Sequence, residues 1–293
     1  MKAWMIYNID DYKKNKDYYT MHLEKASKKG IDLQLKYMEL FSYGVKNNKY
    51  YVEYDNEVID KPDFVIGRMR SPFFTKHLEL MGIDVYNNYV VADICNNKAK
   101  TYEFLAETSI DIIDTEFICN NECKYKLEYN NYFREENVIK TCTGHGGTEV
   151  YLGNEYKKNT LNKDIVIQPL IKGNKQDVRV YVLDNEIIGA VLRTGKNGFK
   201  SNFSLGGDAK LYHLSKEQCD IVTIIINRFK KENYIRNKTA GLFYVGIDFI
   251  LDDNNKFIFN EIEDVVGSRM LYQVSDIDIV DLYLNKIIGK YTY

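Results

Sequence analysis

Three acidic residues in the C-terminal third stand in a pattern that suits a hard metal ion. Asp248 lies in Gly246-Ile247-Asp248-Phe249-Ile250-Leu251, and Glu261 and Glu263 close the run Phe257-Ile258-Phe259-Asn260-Glu261-Ile262-Glu263. If the two runs pair as antiparallel strands, alternation puts Glu261 and Glu263 on one face, and Asp248 reaches that face from its partner. Mg²⁺ takes oxygen ligands and commonly combines one or two carboxylates with substrate phosphates. Such a triad could also line a solvated sheet face. Its setting among Phe, Ile and Val favours a cation, because an unpaired carboxylate is costly there.

Two further stretches carry groups suited to phosphate. In Val138-Ile139-Lys140-Thr141-Cys142-Thr143-Gly144-His145-Gly146-Gly147 a strand ending in lysine runs into a glycine loop. Backbone N–H groups in such a loop can approach phosphate oxygens closely, although a plain hairpin turn has the same composition. Neither a Walker loop nor a dinucleotide fingerprint is present, since no Gly-Lys-Ser/Thr follows and a strand rather than a helix comes next. Downstream stand Asp177-Val178-Arg179, Arg193 and Asn202. The planar guanidinium fork suits phosphoryl and carboxylate oxygens, while Asp177 and Arg179 could simply pair with each other on a sheet surface. Arg68, Arg70 and Arg269 are the cations expected around a substrate carboxylate, with a surface salt bridge as the other reading of Arg269. Cys142 has no base recognisable beside it and reads as an inert thiol. His145 reads as a phosphate contact or a solvated loop residue.

Positioning these groups requires particular elements. Residues 3–7 read as a strand, 11–29 as an amphipathic helix, and 32–38 and 63–66 as further strands, an alternating α/β pattern. Ligands of such sheets gather at the carboxyl ends of the strands, where Arg68 and Arg70 fall. A helix over 73–81 stops at Gly82, and an extended piece at 83–86 follows. Beyond come a capped helix opening at Asn97, strands near 115–118, 137–141, 165–171, 178–183 and 187–193, and a long helix over 215–234. Strands at 243–251 and 256–263 flank Asp252-Asp253-Asn254-Asn255, a hairpin turn by composition, so the acidic triad should sit on one hairpin.

Composition narrows the class. The 293 residues are 45% hydrophobic, enough for a sizeable core and too apolar for a disordered chain. Forty Lys and Arg against 42 Asp and Glu leave a net charge of −2, so no global positive field invites nucleic acid or an anionic membrane. Five scattered cysteines without CxxC spacing argue against a disulfide framework or a structural zinc site. The first residues turn polar at Asn8, unlike a signal peptide, and no run reaches the ~18 apolar residues of a membrane span. A cytoplasmic protein is expected.

Taken in order, Lys98, Lys140 with its glycine loop, Val166-Ile167-Gln168-Pro169-Leu170-Ile171, Asp177-x-Arg179, Arg193, Asn202 and the Asp248/Glu261/Glu263 set resemble ATP-grasp ligases. The likeness is strongest to the RimK-like branch of carboxylate-amine ligases, which includes bacterial glutathione synthetases, and covers about residues 60–275. It implies an α/β protein of α+β subdomains, an ATP-grasp fold behind an N-terminal parallel-sheet domain. That domain would span 1–92 and the ATP-grasp domain 93–293, with a small lid subdomain over about 108–170 and a C-terminal subdomain over about 171–293.

The resemblance also implies roles. Lys98, Lys140 and the Gly144-His145-Gly146-Gly147 loop would contact ATP phosphates, and Gln168, Pro169, Leu170 and Ile171 would form the hinge against adenine. Arg193 and Asn202 would face the γ-phosphate and the developing acyl phosphate, and Arg179 beside Asp177 would help place phosphate or substrate. Asp248, Glu261 and Glu263 would hold Mg²⁺, two ions by analogy, with Mn²⁺ as an alternative. Two departures stand out. Glu263 replaces the usual Asn of the last metal pair, and Pro169 replaces a common acidic hinge residue, leaving a carbonyl but no N–H. The implied activity joins a small-molecule or peptide carboxylate to an amine. A phosphotransferase acting on a carboxylate, or a nucleotide-binding module without turnover, stays open, as does a homo-oligomer.

Overall fold

The computed structural model describes residues 1–119, 134–147, 149–156, 163–171, 176–195, 208–235, 241–252 and 254–291. Asn202 and the tyrosine-rich stretch 125–132 lie outside the described residues. The opening run Lys-Ala-Trp-Met-Ile-Tyr forms β1 (Lys2–Tyr7), whose nearly continuous apolar sequence suits a strand buried on both faces. Next come α1 (Ile9–Lys28) and β2 (Asp32–Tyr37). Then β3 (Phe41–Lys46), β4 (Lys49–Tyr54) and β5 (Glu57–Val58) form an antiparallel meander that the sequence reading did not anticipate. Its signals were Asn47-Asn48 and Asp55-Asn56. Each pair takes left-handed backbone, with φ of 52° and 58° and of 53° and 65°, the twist that suits two-residue hairpins. The chain returns through β6 (Phe64–Gly67), α2 (Pro72–Leu80) and β7 (Asp84–Tyr86) to complete a parallel sheet of order β2-β1-β6-β7.

Two short helices follow, α3 (Tyr89–Cys95) and α4 (Lys98–Leu105). Each is capped by asparagine, Asn88 accepting from Val91 N at 3.1 Å and Asn97 from Lys100 N at 3.2 Å. The strands β8 (Glu116–Ile118), β9 (Asn137–Thr141), β10 (Val150–Leu152) and β11 (Ile165–Pro169) make an antiparallel sheet of order β10-β9-β11-β8. A larger antiparallel sheet, ordered β14-β13-β12-β15-β16, comprises β12 (Gln176–Leu183), β13 (Glu186–Thr194), β14 (Asp208–Tyr212), β15 (Tyr244–Leu251) and β16 (Phe257–Glu263). The long helix α5 (Lys216–Ile235) precedes β15, and α6 (Arg269–Val274) and α7 (Ile279–Ile288) follow β16. No described helix is long and apolar enough to cross a membrane.

The two faces of the larger sheet have different partners. Val178, Val180 and Val182 of β12 pack with Val222, Ile225 and Phe229 of α5. Tyr181 and Leu183, one residue out of phase, join a second core with Ala3, Met5 and Ile66 of the parallel sheet and Tyr283, Leu284 and Ile287 of α7. The last helix therefore completes the core of the first sheet, each buried aliphatic side chain contributing roughly 1.5–3 kcal/mol. Asn87 ties the two regions together. Its Nδ2 donates to Tyr244 O and Asp264 O at 2.8 and 2.9 Å, while its Oδ1 accepts from Phe243 N and Tyr244 N, both at 2.9 Å. All four hydrogen-bonding positions of this buried amide are thus used.

Candidate active site

The chemistry-bearing residues stand in rows across the larger sheet. Arg193 is directly opposite Asp177, Arg179 opposite Asp248, and Asp248 opposite Glu261. The next row brings Tyr181, Gly246 and Glu263 together. Gly246 is needed here for space, since a Cβ would lie 2.6 Å from Val266 Cγ2 and 3.2 Å from Arg179 Cδ. The Arg179 side chain runs across the gap this glycine leaves.

Strict alternation along β16 would have set Glu261 and Glu263 on the face of Phe257 and Phe259, which is the α5 core. Instead the pairing shifts between Asp248 and Phe249, so that Asp248 faces Glu261 while Phe249 faces Phe259. Asn260 is the extra residue of a β-bulge, the device that re-aims side chains in mid-strand. After it Ile262 turns into the core and the glutamates turn to the face of Asp248. Acidic oxygens of Asp248, Glu261 and Glu263 all lie within 4.8 Å of one another. This set of hard donors fits Mg²⁺ or Mn²⁺.

The same face carries the counter-charges. Arg179 forks onto both oxygens of Asp248 at 2.7 Å and reaches Glu263 at 3.1 Å. Arg193 holds Asp177, with Nη2 to Oδ2 at 2.8 Å, and also reaches Asp248 at 2.8 Å. The local Asp177–Arg179 pair left open by the sequence does not form. Directly opposed residues on neighbouring strands are closer than residues two apart on one strand, so each acid takes its cross-strand arginine. Burial works to raise the Asp248 carboxyl, but the two guanidinium groups outweigh it and hold it below the usual carboxylate range.

Lysines close the ring from the smaller sheet. Lys98, at the start of α4, donates to Gly144 O in the glycine loop and lies 3.7 Å from Glu261. Lys140 on β9 donates to Oδ1 of the bulged Asn260 at 2.9 Å, spanning the two sheets. Burial pushes the Lys140 ammonium down to about 8, and Glu261 opposes that shift. Among the described residues, the ring thus sets Asp177, Asp248, Glu261 and Glu263 against Arg179, Arg193, Lys98 and Lys140, four charges of each sign. Beside it opens a cleft lined by Lys98, Gly144, His145, Glu261, Glu263 and Arg70 among others. Gly144 leaves no room for a side chain, because a Cβ would meet Thr141 Oγ1 at 2.3 Å, and Gly146 and Gly147 take φ of +62° and +71°.

The remaining expected residues are spread more widely. Gln168 is buried and donates to Thr115 Oγ1 at 2.8 Å. Pro169 is exposed at the end of β11, Leu170 N donates to Glu136 O at 2.6 Å, and Ile171 packs against the α5 core. Gln168 and Pro169 close β11 in the smaller sheet, and Leu170 and Ile171 follow it. Burial lowers His145, with Arg70 acting in the same direction. Arg70 pairs with Asp11 at 3.3 Å on the cleft wall. Arg68 sits in a separate cavity, and Arg269 is exposed on the first turn of α6, lining neither. Sequence reasoning passed over Asn260, whose signal was a polar residue breaking an apolar alternation. It also passed over Asp264, which is buried, accepts from Asn96 Nδ2 at 2.9 Å and lines both cavities.

A small antiparallel sheet followed in the chain by a larger one with an acidic face, behind a parallel N-terminal sheet, is the architecture of ATP-grasp ligases. Residues 95–287 match the RimK-like ATP-grasp domain, and the chain belongs to that family. It is 26% identical to Mycoplasma genitalium "uncharacterized protein MG011" over 99% of this chain and 93% of that one. It is 27% identical to a Saccharophagus degradans "probable alpha-L-glutamate ligase" over 80% of this chain and 79% of that one. Among solved structures, the ATP-grasp ligase PsnB complexed with minimal precursor, Mg and ADP superposes with a TM-score of 0.63. That likeness covers 99% of this chain and 97% of that one at 15% identity.

Proposed function

We propose that the chain is an ATP-dependent ligase that joins a carboxylate to an amine through an acyl phosphate, releasing ADP and phosphate. The observation that carries this reading is the balanced ring of charge beside the cleft. A triphosphate entering a ring whose described charges already balance brings cations with it, and three clustered carboxylates supply their oxygen ligands. Mg²⁺ bound there would screen the charge of the terminal phosphates.

The residues divide the remaining work. Lys98 and Lys140 offer phosphate contacts from the glycine-loop side, and Arg193 and Arg179 hold Asp248 and Glu263 in place while presenting positive charge to the transferring group. A substrate carboxylate oxygen bonds to the γ-phosphorus as the bond to ADP breaks. The amine then attacks the activated carbonyl, gives up a proton and expels phosphate. Closure of the glycine loop over the cleft would keep water from the acyl phosphate.

Relatives named α-L-glutamate ligases make glutamate the first amine to test. ATP consumption should depend on an added amine, and the product mass should equal the sum of the substrates less water. Glu261→Ala is expected to lower acceptor-dependent ADP release about 10³-fold, several kcal/mol of lost charge stabilisation. Unchanged release in that variant would overturn the metal assignment. ADP formed without amide would identify a phosphotransferase instead.

A further inference from the structure

Asn260, the extra residue of the bulge, is gripped at two acceptors by groups from outside its own hairpin. In the register of β15 and β16, Glu261 faces Asp248 and Phe259 faces Phe249, which leaves Asn260 without a partner across the strand. A carbonyl that drops out of a ladder needs a donor from elsewhere. For Asn260 that donor is the phenol of Tyr102, a buried residue of α4, at 2.9 Å. The side-chain Oδ1 of Asn260 accepts from Lys140 Nζ on β9, also at 2.9 Å.

The two grips act in different directions. The carbonyl of Asn260 belongs to the planar peptide unit that continues into Glu261, so Tyr102 fixes the plane from which that carboxylate projects. The side chain lines the cleft and holds a lysine that arrives from the smaller sheet. An ammonium has three protons, so Lys140 can keep one on Asn260 and turn the others toward an anion. Without an acceptor at this spot, the flexible four-carbon stem would sample many rotamers, and a phosphate contact would carry the entropy of fixing it.

We propose that Asn260 is a positioning residue for the nucleotide. Its amide oxygen holds the Lys140 ammonium beside the acidic face, where a phosphate meets it, and its carbonyl, held by Tyr102, keeps Glu261 aimed at the cation. The side chain of one residue therefore serves the phosphate and its main chain serves the metal. The assignment rests on the ligase reading for the presence of a nucleotide, but it needs no amide to form and can be measured by binding alone.

Calorimetry with β,γ-methylene-ATP in excess Mg²⁺ compares wild type, Asn260→Leu, Lys140→Met and the double variant, leucine keeping the size of the side chain without its acceptor. Asn260→Leu is expected to weaken the analogue ~10-fold, about the worth of one hydrogen bond to a charged group, and to add less than ~2-fold once Lys140 is replaced. Mn²⁺ alone, titrated by electron paramagnetic resonance, should bind wild type and Asn260→Leu alike. Tyr102→Phe should instead weaken Mn²⁺ alone, by ~5-fold. Asn260→Ala, which leaves the bulge its residue, is taken through the same cycle, so that misfolding of the leucine variant does not decide the result. Additive losses at Asn260 and Lys140, or an equal loss of Mn²⁺ and of the analogue in Asn260→Leu, would mean a structural role and overturn the assignment, as would Tyr102→Phe with Mn²⁺ binding intact. Wild type that binds neither Mn²⁺ nor the analogue would end the assignment and the ligase reading together. Should the cycle show coupling while no amine supports ligation, Asn260 keeps its role and the ligase reading falls.

Discussion

Arg179 and Arg68 are both buried guanidinium groups, each 6% exposed, and they are set in opposite electrostatic surroundings. Arg179 is saturated, with both oxygens of Asp248 at 2.7 Å and Glu263 at 3.1 Å. Arg68 has two carbonyls and tyrosine rings. Burial alone therefore does not define the role of a cation. The arginine paired with carboxylates is part of a scaffold that fixes where acidic oxygens stand, and the one set among carbonyls and rings is held by neutral groups.

The contrast breaks most directly if each cation is removed in turn. Arg179→Met strands Glu263 and leaves Asp248 to Arg193 alone, and is expected to destabilise the fold by roughly 3 kcal/mol, the cost of removing one partner from a buried charge network. Arg68→Met deletes a charge with no counter-ion among the described residues, and the expected loss is ~1 kcal/mol or less. Urea midpoints compare the two, and equal losses would erase the distinction.

Acid titration sharpens it. Burial depresses His22 from 6.5 to about 3, so its share of stability is complete above pH 6.5 and is lost as the pH falls toward 3. Burial raises Asp264 from 3.8 to about 6, so its share runs the other way: stability is gained as the pH falls from 6 to 3.8. These slopes oppose each other on one cavity. Asp264→Asn, measured with metal chelated, should steepen acid destabilisation within that window by ~1.4 kcal/mol per pH unit. Parallel curves for wild type and variant would show that Asp264 titrates as an ordinary carboxyl.

The smallest effect is expected from Glu263→Asn. An oxygen ligand remains and Arg179 keeps its fork on Asp248, so turnover should fall less than ~10-fold. Complete inactivation would show that the charge Arg179 neutralises has a role of its own.

The sequence carried the acidic hairpin well, because Asp252 and its neighbours mark the turn and apolar runs flank it. Asp252 Oδ1 accepts from Asn254 N and Lys256 N, both at 2.8 Å, as its composition suggests. Pairings across the sheet were less legible. Asp177 and Arg179 are adjacent on one face in sequence, but their partners come from strands whose register only the folded chain sets. The helix α7 was missed for a related reason: its apolar side is matched by the first sheet, far away along the chain. The meander at β3–β5 was passed over although its Asn-Asn and Asp-Asn turns were visible.

The bulge at Asn260 has a consequence for how this surface could be gained or lost. Excising that single amino acid would leave a hairpin of nearly the same length and hydrophobicity, yet would plunge both glutamates into hydrocarbon and bring isoleucine to the phosphate side. Activity could thus vanish by a shift of phase in an otherwise intact strand.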